Sequence, residues 1–125
     1  MDYISKISNL YKGNILLHSP YEGNWGADIP QEIRSILQVS NGIEETMLNP
    51  KTGEQMPIMW ILYSYDEMMI ESSFYQENYG IEGFVFADNG AGEPYVLKPD
   101  GTITCYNAID DEEIQVADSL SDFYK

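Results

Sequence analysis

One histidine and one cysteine, His18 and Cys105, stand in the 125 residues. A side-chain nucleophile activated by imidazole would need these two single residues to meet. A structural zinc needs three or four His and Cys ligands, more than the chain holds. Paired carboxylates support glycoside chemistry. With 21 Asp and Glu any fold brings some pair within reach, so the pairing carries no signal. Asp88-Asn89-Gly90-Ala91-Gly92-Glu93 offers oxygen donors for a calcium ion but lacks EF-hand spacing and its terminal Glu, so it reads as a Gly-rich turn. Gly90 and Gly92 follow an apolar strand, as phosphate loops do. Yet Glu93-Pro94 leads into another strand, and neither nucleotide-binding glycine spacing is present. The census points to a protein that is not an enzyme and needs no cofactor or metal.

Binding chemistry remains, and its sign is fixed. The formal charge is -15, from 6 Lys and Arg against 21 Asp and Glu. Between Lys51 and Lys125 the only basic residue is Lys98, against fifteen acids. Nucleic acid and anionic membranes are excluded as partners, because both need clustered Lys and Arg. A basic protein surface is attracted and its approach is steered. Candidate contacts are the acids of predicted loops and exposed helix faces: Glu44, Glu45, Asp66, Glu67, Glu71, Asp88, Glu93, Asp110, Asp111, Glu112 and Glu113. Tyr63, Tyr65, Tyr75, Tyr79, Tyr95, Tyr106, Tyr124 and Trp60 are interleaved with them, and Tyr and Trp are favoured interface anchors. The plain alternative is that the acids are solvated and the aromatics are core or sheet packing.

The elements that must carry these residues follow from periodicity. Residues 2–12 read as a helix with Ile4, Ile7, Leu10 and Tyr11 on one face and Gly13 at its end. Asn14 to His18 is a brief apolar stretch of no fixed type, and 19–28 a loop. A second helix spans 29–41, with Asp28 as cap, Pro30 in the first turn, Ile33, Ile36 and Leu37 inward, and Gly42 as stop. Strands are expected around 43–49 and 56–63, joined by a turn. The second is apolar enough to sit centrally, although Pro57 puts its start at an edge. Ser64 with Glu67 forms a capping box. The helix it opens runs to Tyr79, with Met69, Ile70, Ser73 and Phe74 sharing a face. Strands at 84–87, 95–97 and 103–106 make an antiparallel meander. An acidic loop, 110–113, precedes a last strand, 114–117. A terminal helix follows, capped by Asp118 or Ser119 and docked by Leu120 with Phe123 or Tyr124.

Without βαβ alternation, this order predicts an α+β domain, one unit over 1–125, with a central antiparallel sheet of about five or six strands flanked by helices. A single cysteine forbids an internal disulfide, and Cys105 in a strand reads as a small buried hydrophobe. No signal peptide or membrane-length apolar run is visible, so the expected compartment is cytoplasmic.

Three segments in order resemble the SMI1/KNR4 (SUKH) superfamily. Ile29 to Gly42 is similar to its Pro-started helix ending in Asn-Gly. Phe84 to Glu93 is similar to its apolar strand running into an acidic, Gly-rich turn. Val116 to Tyr124 resembles its closing strand, Ser-capped turn and aromatic-bearing helix, although Leu120 stands where an aromatic is common. The resemblance covers about residues 25–125. It implies an α+β fold with a central antiparallel sheet. It also implies an immunity protein of bacterial toxin systems, which binds a cognate toxin domain, often a nuclease, and blocks it without chemistry of its own. It carries over neither catalytic residues nor binding positions. A phosphate-gripping nuclease surface is basic, so charge and resemblance agree on the partner. The alternative is a regulatory scaffold, as in some fungal members. Charge reversal to Lys at 110–113 is expected to slow association with a basic partner, which association rates across a salt series would check.

Overall fold

Two antiparallel sheets, not one, carry the strands. The computed structural model describes residues 2–26 and 29–125. In chain order the elements are α1 Tyr3–Leu10, β1 Ile15–Leu17, α2 Gln31–Leu37, β2 Ile43–Leu48, β3 Gln55–Leu62, α3 Tyr65–Tyr79, β4 Phe84–Asp88, β5 Pro94–Leu97, β6 Ile103–Asn107, β7 Glu112–Ala117 and α4 Leu120–Phe123. The first sheet has the order β1-β2-β3, the second β4-β5-β6-β7. The α+β class and the β4–β6 meander are as the sequence implied. Among the described residues the strands number seven, with β7 as a fourth member of the meander. The undecided stretch after α1 is a short strand, Ile15–Leu17, paired with β2.

The sheets meet at a seam just past β3. The Tyr63 N–H donates to the Phe86 carbonyl at 2.8 Å, and the Tyr63 hydroxyl donates to Asp88 at 2.5 Å. Within the first sheet β3 is nevertheless an edge strand. Its first four residues, including Pro57, are exposed, and only Ile61 and Leu62 are buried. A proline lacks the N–H that a central ladder demands, so an edge is where it belongs.

The core is continuous across both sheets. It holds Ile7 of α1, Ile33, Ile36 and Leu37 of α2, Met68 of α3, Phe86, Ile103, Leu120 and Tyr124. Each large aliphatic there stabilises by about 1.5–3 kcal/mol relative to exposure. Leu120 is fully buried, so it fills its site without an aromatic ring. Tyr124 is also buried, and its hydroxyl donates to the Ile61 carbonyl at 2.8 Å.

Caps set the helix ends. Asp2 caps α1, Ser64 caps α3 by accepting from the Glu67 N–H, and Ser119 caps α4. α3 ends at Gly80 in the left-handed conformation, which a residue without Cβ adopts freely. α2 is shorter than expected. Pro30 is its N-cap residue, and Asp28 lies outside the described residues. Beyond Leu37 the chain turns, and Ser40 is buried there. Its hydroxyl donates to the Gly42 carbonyl at 2.6 Å and accepts the His18 N–H at 2.8 Å.

α3 packs by the face opposite to its most apparent apolar row. Tyr65 and Met68 are buried, and Ser72 and Tyr75 continue the inward line. The row Met69, Ile70, Ser73 and Phe74 faces outward. Inward anchoring comes from aromatic contacts and from the loop before α2. Tyr21 stacks on Tyr65 with centroids 4.2 Å apart, and the Gly26 N–H donates to the Tyr65 hydroxyl at 2.7 Å.

Gly42 carries the junction between α2 and β2 at φ +98, and a Cβ there would lie 2.7 Å from the Trp60 ring and 3.0 Å from the Ser64 nitrogen. Gly42→Ala is expected to cost about 1–2 kcal/mol for backbone conformation alone, and more for the clash. The midpoint of a denaturant titration would measure it.

Candidate binding surface

The eleven acids singled out from the sequence fall into three groups. Glu44 and Glu45 lie in β2, not in a loop. Glu44 pairs with His18 at 2.8 Å, and Glu45 sits near Tyr11, adding to burial in raising that phenol. Their placement in β2 follows from register: they stand opposite Leu16 and Ile15 on one side and Trp60 and Met59 on the other.

The second group gathers at the start of α3 and the β4–β5 turn. Asp66 and Glu67 are exposed in the first turn of α3, where the positive end of the helix dipole favours them. Glu71 lies one turn further and is half-buried. Burial, then the neighbouring Glu67 and Asp88, hold its carboxyl above the usual range. Asp88 accepts from Tyr63, and Glu93 accepts from the Asn89 amide at 2.6 Å. The turn between them is closed on itself. Asp88 takes the Gly90 N–H, and Asn89 takes those of Ala91 and Glu93. Asp88 Oδ1 and Asn89 Oδ1 are thus engaged by the turn's own backbone.

The third group surrounds the start of β7. The expected acidic loop is shorter, because Glu112 and Glu113 are already strand. Their pairing opposite Asn107 and Tyr106 extends the ladder past Ile114. Glu113 meets the Lys98 ammonium at 2.8 Å and the Thr104 hydroxyl at 2.6 Å. Burial pulls its carboxyl upward, but these two partners outweigh it and hold it low. Asp111 accepts from the Tyr106 hydroxyl at 2.8 Å. Tyr106 in turn packs against Tyr75 and Tyr79 of α3.

The single histidine and the single cysteine lie on different sheets. His18 follows β1 in the first sheet, and Cys105 lies on β6 in the second. Burial and then Glu93 raise the Cys105 thiol, which opposes thiolate formation. Among the described residues no group of three or more His, Cys, Asp or Glu is placed to hold a metal ion. No helix among them is long and apolar enough to cross a membrane.

What the acid list missed is apolar. On the outer face of α3, Ile70 is 61% exposed and Phe74 47%, with Met69 beside them. Asp66, Glu67, Glu71 and Glu77 rim this row, and α3 contains no basic residue. Met69 also borders a cleft of about 740 Å³ between α3, the start of α2 and the ends of β4 and β5. Ile29, Pro30, Phe84, Leu97 and Pro99 give that cleft an apolar lining. Three of its polar groups are engaged: Ser72 accepts the Val85 N–H, Glu32 accepts from Tyr3, and Lys98 holds Glu113. The sequence hid this face because α3 is apolar on both sides. Tyr65, Met68, Ser72 and Tyr75 fit helical spacing as well as the outer row does.

The architecture is that of a small α+β domain with an exposed apolar row on α3 beside several carboxylates. The chain belongs to the SMI1 / KNR4 family (SUKH-1), whose sequence pattern it matches over residues 19–125. The match begins before the three resembling segments and takes in the loop that anchors Tyr65. No curated protein and no solved structure matches the chain significantly. α1 and β1 precede the matched region, yet Ile7 is fully buried and β1 pairs with β2. Membership of this family is consistent with a non-catalytic immunity protein.

The raised carboxyl of Glu71 gives a signed test. It binds its proton more tightly folded than unfolded, so its contribution to stability rises as pH falls through its titration range. Glu113, held low, contributes in the opposite sense. Glu71→Gln is expected to raise the melting temperature at neutral pH and to shrink the acid-side gain. Melts of both proteins between about pH 7 and about pH 4 would show it.

Proposed function

We propose that this protein is a non-catalytic immunity protein that binds and neutralises a cognate bacterial toxin domain in the cytoplasm. The partner is basic, as a nuclease surface that grips phosphate would be. Family membership supports the class. The observation that carries the surface is the outer face of α3, where Met69, Ile70 and Phe74 stand exposed inside a rim of four carboxylates. Apolar anchors supply affinity when desolvated at the centre of an interface, while the charged rim sets approach rate and orientation. Asp88, close enough to act on the Glu71 carboxyl, extends the rim. Glu44 and Glu45, already engaged in the first sheet, are peripheral to it. Inhibition is stoichiometric occlusion of the toxin without turnover.

Affinity capture from the native lysate at low and high salt identifies the partner. A single basic protein with a toxic domain, held one-to-one and weakened by salt, supports the reading. Several unrelated housekeeping partners would favour a scaffold. Against the captured protein, Ile70→Ala and Phe74→Ala are each expected to weaken binding by about 1–2 kcal/mol or more. Both should leave stability within about 0.5 kcal/mol, because the side chains are exposed. Titration calorimetry and denaturant midpoints read the two quantities separately. Met47→Ala, on an exposed position of the first sheet, serves as the control that leaves binding unchanged.

A further inference from the structure

Each sheet has two outer strands, and three of the four are guarded. β1 is three residues long. β3 carries Pro57 and then bonds to β4 through Tyr63 and Phe86, a contact that also occupies the outer side of β4. β7 differs. It is six residues long, contains no proline, and is exposed from Glu112 to Val116. Among the described residues no segment pairs with its outer side. Alternate backbone N–H and C=O groups on such a strand face water, and they are a template for another strand. Ile114 is 53% exposed and Val116 48%. Val116 is an extra residue between the pairs Thr104–Gln115 and Ile103–Ala117. That bulge bends the end of the strand and leaves Glu112 to Gln115 as the straight part.

The charge around β7 selects what can pair with it. Asp110 and Asp111 lead into the strand, Glu112 and Glu113 open it and Asp118 follows it. Of these, only Glu113 is paired with a cation among the described residues. A second copy brought edge to edge would bring two acid-rich segments together, and like charge opposes that approach. A strand bearing Lys or Arg meets the opposite. We infer that the outer edge of β7 receives an extended, basic segment of a protein partner as a fifth strand of the second sheet, with its apolar side chains over Ile114. This goes beyond the α3 face, and its test leaves that reading untouched.

The probe is a capped eight-residue peptide of alternating lysine and valine, added to the full-length protein. Amide hydrogen exchange is read residue by residue by NMR. The expected result is slowed exchange at every second amide of β7, those not already bonded to β6. Replacing the peptide's lysines by glutamate, or placing a proline at its centre, should abolish the effect. Ile114→Thr keeps strand propensity and should weaken the peptide about two- to fivefold. Protection spread over α3 or the whole acidic surface would overturn the inference, since charge alone would then explain binding. So would equal binding of the proline peptide. Protection of β7 that grows with protein concentration and no peptide would assign the edge to a second copy and overturn it as well.

Discussion

The seam between the two sheets governs the rest of the molecule. At Ile61, Leu62 and Tyr63 one short segment finishes β3, bonds across to Phe86 and receives the buried Tyr124 hydroxyl on the Ile61 carbonyl. Two polar groups satisfied inside an apolar core define one arrangement of the sheets, because leaving either unpaired would cost about 1–3 kcal/mol. α3 begins at the next turn. Its N-terminus is held from the side by Asn41, whose side-chain oxygen accepts the Tyr65 N–H at 2.8 Å. The direction in which α3 presents Ile70 and Phe74 is therefore set by hydrogen bonds that neither residue makes.

Much of the architecture was legible because local chemistry decided it. The Ser64–Glu67 cap and the left-handed Gly80 state their roles in residue type alone, and the short apolar runs of β4, β5 and β6 mark the meander. The division into two sheets was not legible, since it depends on contacts between Tyr63 and Phe86 that no local pattern announces. Nor was the packed side of α3. A helix with apolar residues on both faces offers two solutions, and the aromatic loop at Tyr21 and Trp25 decides between them. Among the acids, sequence supplied the sign of the charge but not its grouping. Glu44 is hydrogen-bonded to His18 and Glu113 is paired with Lys98, whereas Glu71 is crowded by its own kind.

That crowding has a physical logic. Carboxylates near one another are stabilised by an arriving cation more than isolated ones are, because mutual repulsion is relieved at the same time. At Glu71 the neighbouring Glu67 and Asp88 add to burial in holding the carboxyl high, and an approaching cation would relieve that repulsion. The exposed Phe74 and Ile70 carry apolar area whose removal from water would be favourable. Net charge meanwhile keeps the free protein dispersed.

The union of the two ends of the chain reaches into kinetics. Lys6 of α1 donates to the Ser121 carbonyl at 2.5 Å and to its hydroxyl at 2.8 Å across 115 residues of sequence. Tyr124 finds Ile61 across 63. Contacts that distant form only after large loops have closed, and topologies rich in them fold slowly for their size. Local structures such as α3 and the β4–β6 meander leave the core incomplete until the terminal segments dock. The approach of the most separated residues, rather than the stability of any one helix, then limits how fast such a topology folds.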